Sequence, residues 1–353
     1  MDKVLTIVVP AYNAERYLDK CLASFVLDPA TMERLDVIVV NDGSTDGTMD
    51  IAEGYANEYP MTFRAINKEN GGHGSTINVG SKVAMGKYLK VVDADDWILT
   101  ESLVRFLGAL EATEADVVLT HYHTIDITTG QIRAWETFIK DYSRAYTLQE
   151  TLSDWKRMDR CLTFHGMTYR TEFYNANGYK LSEHVFYEDH EYATFACSKA
   201  QTIQPLDIFL YQYRIGDICQ SVSDASQLRR LSHTEAVLTK MASFLRDGTV
   251  SGSPSRSYVA RKTAGLLLSY YATLLLKNPN KVRGRRIAAS MQTSIRLSCE
   301  DVYRLVAGKY RTLLILNRFR IGFAAFQLAL NSSLYNRLRK NFPFDKEFQS
   351  TSR

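Results

Sequence analysis

Apolar runs and polar clusters alternate in a fixed order along the first hundred residues. Leu5-Thr-Ile-Val-Val9 leads into Pro10-Ala-Tyr-Asn13, and Asp36-Val-Ile-Val-Val40 into Asn41-Asp-Gly-Ser-Thr-Asp-Gly47. A third run, Tyr88-Leu-Lys-Val-Val92, ends in Asp93-Ala-Asp-Asp96. Each run is short and mostly apolar, as in a buried strand. The first two polar clusters lead into stretches with helical spacing, about 15–26 and 45–57. Strand, polar turn and helix in repetition predict a parallel, doubly wound sheet. Ligands of such sheets bind beyond the carboxyl ends of the strands, where all three clusters fall.

The pattern then changes. Residues 101–112 read as a helix with Leu103, Phe106, Leu107 and Leu110 on one side. Residues 116–122 and 131–138 read as strands around the turn Thr128-Thr-Gly130, and 163–170 and 203–213 as further strands. Residues 187–199 read as a helix. These elements predict a mixed, partly antiparallel extension. Beyond about 222 the strand signals stop, and 225–247, 257–277, 281–307 and 311–340 carry helical spacing. Gly248–Ser255 has the composition of a linker, and Asn278-Pro-Asn280 breaks the next pair.

Charge sharpens the division. Residues 1–224 hold 20 Lys/Arg against 33 Asp/Glu, and residues 225–353 hold 23 against 6. An acidic part is thus joined to a strongly basic one, and an anionic partner is expected: a membrane surface, an acidic polymer or nucleic acid. The length, 353 residues, suits two domains or one with an extension. Five scattered cysteines without paired spacing predict reduced thiols in a cytosolic setting. Met1-Asp-Lys runs straight into the first strand, so no signal peptide is expected, and no uncharged stretch is long enough to span a bilayer.

An apolar run that ends in clustered acids needs a reason, because unpaired buried charge is costly. A divalent cation supplies one. Asp93 and Asp95 offer the hard oxygens that Mg²⁺ or Mn²⁺ takes, with phosphate oxygens completing the shell. On the residues alone, the acids could instead sit in a surface turn, with Asp96 as the cap of the helix that Thr100 introduces.

Val9-Pro-Ala-Tyr-Asn13, Val40–Gly47, Asn70-Gly-Gly-His-Gly74 and Asp93-Ala-Asp-Asp96 occur in the order and spacing of the family-2 glycosyltransferases. The chain resembles that family over residues 3–100, with a likeness that fades through about 220 and does not reach the C-terminal third. The resemblance implies an α/β GT-A fold, a Rossmann-like mixed sheet flanked by helices, here with a helical C-terminal extension. It implies transfer of a sugar from a nucleotide donor with inversion. Residues 1–222 are then the glycosyltransferase domain (1–100 the nucleotide-binding half, 101–222 the acceptor side) and 223–353 a basic, mainly helical region.

The resemblance also assigns roles. Donor contacts fall to Pro10, Ala11, Tyr12, Asn13, Asp42, Asn70, Gly71, His73, Gly74, Asn78 and Asp93. Asp95 is the direct metal ligand, with Asp93 bridging. Arg214 and Ser221 lie on a segment that closes over the donor diphosphate; a guanidinium fork suits phosphate oxygens. Asp189 is the general base that accepts the acceptor hydroxyl's proton. Glu188 orients acceptor or base, and His165 lines the acceptor pocket. Each has a plainer alternative: Asn13 as a helix cap, Asp42 as an Asx turn, His165 as a core strand residue, Glu188 and Asp189 as acids favoured at a helix start. Asp46 reads as a capping residue. Many family members carry Ala-Arg-Asn where this chain has Thr76-Ile77-Asn78, so His73 and Lys68 become the candidates to balance diphosphate charge. The Gln-x-x-Arg-Trp pattern of processive synthases is absent, since Gln212 is followed by Tyr213-Arg214-Ile215.

Residues 311–340 mix arginines with aromatic and aliphatic residues, which suits a helix lying on an anionic membrane or packing its apolar stripe on its own protein, and the candidate membrane contact extends over 281–340. Lys281-Val-Arg-Gly-Arg-Arg286 places cations at a helix start, where the dipole disfavours them. The expectation is a cytoplasmic, non-processive, inverting enzyme, peripheral at the inner face of the membrane. Its donor is a UDP-sugar and its cation Mg²⁺ or Mn²⁺. Its acceptor is a cell-surface glycan, lipid-linked oligosaccharide or wall polymer, and its oligomeric state is open. The rival readings are a non-catalytic nucleotide-sugar-binding scaffold and a nucleic-acid role for the basic tail. No zinc spacing or RNA-binding signature supports the latter.

Overall fold

A computed structural model of the chain describes residues 3–139, 141–217, 223–248 and 252–326. The chain divides into two compact units, Met1–Ile218 and Cys219–Arg353.

The first unit holds one sheet. Its strands are β1 (Leu5–Ala11), β2 (Leu35–Asn41), β3 (Phe63–Asn67), β4 (Tyr88–Val91), β5 (Trp97–Ile98), β6 (Val117–Asp126), β7 (Ile132–Trp135), β8 (Met167–Arg170) and β9 (Ile203–Ile215). The helices of this unit are α1 (Leu18–Ala23), α2 (Pro29–Met32), α3 (Thr48–Glu58), α4 (His73–Lys82), α5 (Thr100–Ala112), α6 (Leu148–Ser153), α7 (Trp155–Met158), α8 (Thr171–Ala176) and α9 (Asp189–Thr194). The strand order is β3-β2-β1-β4-β8-β6-β9-β5, with β7 paired to β6.

Parallel pairing of β3, β2, β1 and β4 forms the doubly wound half that the apolar runs predict. Every residue of β1, β2 and β4 is buried, because helices cover both faces of a parallel sheet. Antiparallel pairing enters at β8, which joins β4 on one side and β6 on the other. The acceptor-side strands expected at 116–122, 131–138, 163–170 and 203–213 are present, as β6, β7, β8 and β9.

Several elements differ from expectation. The helix read over 15–26 is the six-residue α1, because residues 12–17 form a loop held from outside by the β2–α3 turn. The helix read over 187–199 is α9 followed by a single 3-10 turn at Cys197–Lys199. Strand β3 had not been expected, since Arg64 interrupts its apolar pattern. That arginine forks onto Asp36 of β2 (Nε to Oδ1 2.9 Å, Nη2 to Oδ2 2.8 Å), and Thr6 of β1 donates to the same carboxylate at 2.8 Å. A polar tie thus crosses three strands of the buried sheet.

The described part of the second unit is helical: α10 (Asp224–Arg229), α11 (Leu231–Arg246), α12 (Ser253–Ala272), α13 (Lys281–Ser298) and α14 (Glu300–Arg318). A π-helical turn, Thr273–Lys277, follows α12. The helices expected at 281–307 and 311–340 are divided elsewhere. Cys299 adopts an extended backbone (φ −151°, ψ 85°), and Glu300 and Asp301 open α14, where acids favour a helix start. The part of the expected tail helix beyond residue 326, and residues 249–251 of the expected linker, lie outside the described residues, while Ser253 to Ser255 of that linker instead open α12. No helix among the described residues is long and apolar enough to cross a membrane. No disulfide joins Cys21, Cys161, Cys197 or Cys299.

Candidate active site

Parallel register sets the tips of β1 and β2 level, with Ala11 opposite Asn41, and the Val92 amide donates to the Val8 carbonyl just beyond β4. The loops leaving these three strands therefore meet along one edge of the sheet. The turn after β4 brings ligand atoms of Asp93, Asp95 and Asp96 within 4.8 Å of one another.

The three acids are held differently. Asp96 is buried, accepting from the Tyr211 hydroxyl at 2.6 Å and from the Arg214 backbone amide at 2.7 Å. Burial and the neighbouring carboxylates of Asp95 and Asp93 hold its carboxyl well above the usual range. The capping role considered for Asp96 is not what the fold gives it: Leu99 occupies the N-cap of α5. Asp95 is half-buried, 3.8 Å from Nη1 of Arg214. Asp93 accepts from Nε2 of His73 at 2.8 Å. Carboxylate oxygens in this number and proximity suit a divalent cation. Both oxygens of Asp96 already accept hydrogen bonds, which leaves Asp93 and Asp95 as the candidates to face such an ion.

His73 is the first residue of α4. Gly72 brings the chain into this helix with φ +84°, a conformation that favours glycine. The Nδ1 side of the His73 ring meets Oε1 of Glu188 at 2.5 Å, so one imidazole bridges Asp93 and Glu188. Burial works against protonation of this ring, but the two carboxylates outweigh it and raise its pKa well above the ordinary value. Burial likewise opposes ionisation of Asp93, and His73 overcomes it, holding that carboxyl below the ordinary range. At Glu188 burial prevails and the carboxyl is raised.

Glu188 immediately precedes α9, and Asp189 opens it. The Asp189 carboxylate acts electrostatically on His165 and Tyr213. Gly74 seats this segment: a Cβ there would meet the Ser182 carbonyl and come within 2.8 Å of Glu188 Cγ. His165 stacks on Tyr213 with centroids 4.1 Å apart and packs edge-on against Tyr211 at 5.0 Å. Burial lowers its pKa to about 4, so the ring is neutral at neutral pH.

The donor-side residues fall into two groups. Tyr12 is exposed beyond β1. Asn13 accepts from the Thr45 amide at 2.9 Å and is not a helix cap. Asp42 is buried, paired with Lys68 at 2.7 Å, and accepts from the amides of Gly71 (2.9 Å) and Gly72 (2.8 Å). Asn70 donates to the Asp42 carbonyl at 2.9 Å. The second loop is thereby fastened to the glycine-rich loop. Asn78 is turned elsewhere, with its amide group bonded to both the carbonyl (3.0 Å) and amide (2.9 Å) of Leu181. Asp46 accepts from the Thr48 amide at the start of α3. Ser221 lies outside the described residues.

Arg214 reaches toward Asp95 from β9, with its guanidinium over the Tyr17 ring at 4.3 Å and Nη2 3.2 Å from Asp217. The sequence reading missed Tyr211, whose hydroxyl also accepts from the Asp93 amide at 3.2 Å, and Lys90. Lys90 is fully buried in β4 and donates to the carbonyls of His165 (2.8 Å) and Met167 (3.2 Å); burial lowers its pKa to about 7. A lysine inside an apolar run was the available signal.

The chain is similar to known proteins in sequence and fold. The glycosyl transferase family 2 profile matches residues 6–175. EpsH of Bacillus subtilis (strain 168), named as a glycosyltransferase, is 27% identical over 313 residues, 84% of this chain and 83% of EpsH. The glycosyltransferase GlyG of Streptococcus pneumoniae serotype 4 is 27% identical over 65% of this chain and 77% of its own length. Among solved structures, residues 1–349 of Staphylococcus aureus TarS superpose with a TM-score of 0.64 at 22% identity, covering 90% of this chain and 88% of that one. That likeness carries the fold: a GT-A sheet with a helical C-terminal region. Residues 6–175 are thus a glycosyl transferase family 2 domain, set in a chain with the GT-A fold.

Proposed function

We infer that this glycosyltransferase moves a hexosyl or N-acetylhexosaminyl group from a UDP-sugar to a hydroxyl of a cell-surface glycan, lipid-linked oligosaccharide or wall polymer, with inversion at the anomeric carbon. The observation that carries the reading is the His73 bridge, which links the donor-side acid Asp93 to the acceptor-side acid Glu188, beside Asp189.

Asp95 and Asp93 would hold Mg²⁺ or Mn²⁺, which offsets charge growing on a departing diphosphate. Arg214, beside Asp95, offers its fork to the phosphate oxygens. Asp189 accepts the proton of the attacking hydroxyl, and Glu188, fixed by His73, orients that hydroxyl. The neutral ring of His165 packs below the acceptor. Support for the donor comes from TarS, which has been solved with UDP-GlcNAc, and for the cation from a Pyrobaculum calidifontis mannosyltransferase solved with GDP-Man and Mn²⁺ (TM-score 0.52). Support for the acceptor comes from the name of S. aureus TarS, poly(ribitol-phosphate) β-N-acetylglucosaminyltransferase, of which this chain covers 20% at 33% identity. The reaction is placed on the cytoplasmic side, where nucleotide-sugars are made.

A panel of UDP-, GDP- and TDP-sugars, with and without divalent ions, tests the reading by thermal shift and donor hydrolysis. A UDP-sugar should raise Tm only when Mg²⁺ or Mn²⁺ is present. Equal stabilisation after chelation, or a response to GDP-sugars alone, would overturn it.

A further inference from the structure

Helices α13 and α14 are 18 and 19 residues long and are joined at Cys299. Arg285 near the start of α13 donates through Nη1 to Oδ1 of Asn317 at the end of α14 (2.6 Å), so the first turn of one helix lies beside the last turn of the other. Asn317 is itself buried and anchored on the Leu275 carbonyl. Gly284 lets α13 approach the π-helical turn after α12 closely, since a Cβ there would strike the Leu274 carbonyl.

This open end of the hairpin gathers cations from two distant stretches of sequence. Lys281, Arg283, Arg285 and Arg286 come from α13, and Arg318 and Arg320 from the end of α14. Residues 281–320 contain ten Lys/Arg and two acids, and both acids, Glu300 and Asp301, sit at the opposite, closed end. Among the described residues, Arg283, Arg286, Arg311, Arg318 and Arg320 form no ion pair. The first-turn cations of α13 also oppose the helix dipole, which an external anion would relieve.

Apolar side chains stand among these cations in water. Phe319 is 76% exposed, Val282 60% and Ile315 55%. Arg311, Ile315, Arg318 and Phe319 follow at spacings of four, three and one, on the side of α14 away from its buried Val302, Val306, Tyr310 and Leu313. A hydrated anionic polymer would satisfy the arginines but leave an exposed phenylalanine and isoleucine unexplained. A bilayer interface takes both, with headgroup phosphates on the cations and acyl chains against the rings and branched side chains.

We propose that the open end of the α13–α14 hairpin is a peripheral docking surface for anionic phospholipid, with Phe319, Ile315 and Val282 inserted and the surrounding arginines on phosphate. The surface lies wholly within the second unit, and its operation does not depend on which sugar is transferred.

Sedimentation of the full chain with vesicles tests this. Binding is expected to vesicles of phosphatidylcholine mixed with phosphatidylglycerol, to fall with salt, and to be absent with phosphatidylcholine alone. Neutralising one near-surface cation, as in Arg283→Gln or Arg318→Gln, should weaken binding roughly fivefold. Phe319→Ser combined with Ile315→Ser should weaken it further while leaving Tm and UDP binding as in the unmodified protein. Failure to bind the anionic vesicles overturns the proposal. So does binding indifferent to Phe319 and Ile315 and equalled by soluble polyphosphate, which would mark a polymer site. A self-association without lipid that Phe319→Ser abolishes would also overturn it, by making a second copy the occupant.

Discussion

The Tyr211 hydroxyl donates to Asp96 at 2.6 Å while accepting from the Asp93 amide at 3.2 Å, so one side chain of β9 clamps both ends of the acidic turn. Since the Arg214 amide also donates to Asp96, the same contact sets where the arginine stands against Asp95. Tyr211→Phe removes one donor from a buried carboxylate and is expected to cost about 1–3 kcal/mol of stability. UDP affinity should fall with it, because Arg214 and Asp95 lose their common support. Chemical denaturation and UDP titration check the pair; full UDP affinity in Tyr211→Phe would mean the clamp has no bearing on the donor.

Removing the imidazole at 73 leaves two carboxylates without their shared cation. His73→Phe is expected to destabilise the fold by about 1.5–3 kcal/mol near neutral pH. The sign with pH is fixed by the raised pKa of His73: its stabilising contribution is full below the unfolded value of 6.5 and is lost as pH climbs through the higher folded value. The deficit of His73→Phe should therefore be largest in acid-to-neutral solution and shrink in alkali, as measured by denaturation at a series of pH values.

Asp95 and Asp189 separate donor binding from chemistry. Asp95→Asn should abolish the divalent-ion requirement of UDP-sugar stabilisation along with most of the stabilisation itself. Asp189→Asn should keep that stabilisation and lower kcat by about 10²–10⁴-fold. Thermal shift and single-turnover transfer distinguish them; equal loss of donor binding in both variants would remove Asp189 from the role of base.

Lys90 gives the sheet an alkaline signature. Its folded pKa is lowered to about 7 from 10.5 by burial, so across that interval the unfolded chain holds the extra proton and stability rises with pH. Lys90→Met should flatten this rise. It should also leave the carbonyls of His165 and Met167 without their donor and disturb the aromatic stack at His165. Denaturation between neutral and alkaline pH checks the first effect, and acceptor KM the second.

The parallel half of the sheet was legible because β1, β2 and β4 are covered on both faces and must be apolar throughout. Strand β3 was not, because Arg64 looks like a loop residue until Asp36 is known to receive it. The break at Cys299 was hidden for a different reason: amphipathic spacing continues through it, and no proline or glycine marks it. In the site, strand-end acids announce themselves locally, but the contact of His73 with Glu188 spans 115 residues and leaves no local trace. Gly71, Gly72 and Gly74 read as parts of a glycine-rich loop, with donor contacts at Gly71 and Gly74. The structure adds that Asp42 holds two of their amides and that Gly74 is a seat for another segment.

That seat makes the distance of Glu188 from α4 a matter of backbone contour. With nothing but a hydrogen atom on the α-carbon at 74, the loop between α8 and α9 that bears Ser182 and Glu188 rests directly on the first coil of α4. A methyl group introduced there would act as a shim, prising Glu188 away from α4. Attempts to retune this enzyme toward bulkier acceptors have a natural first position in that single missing carbon.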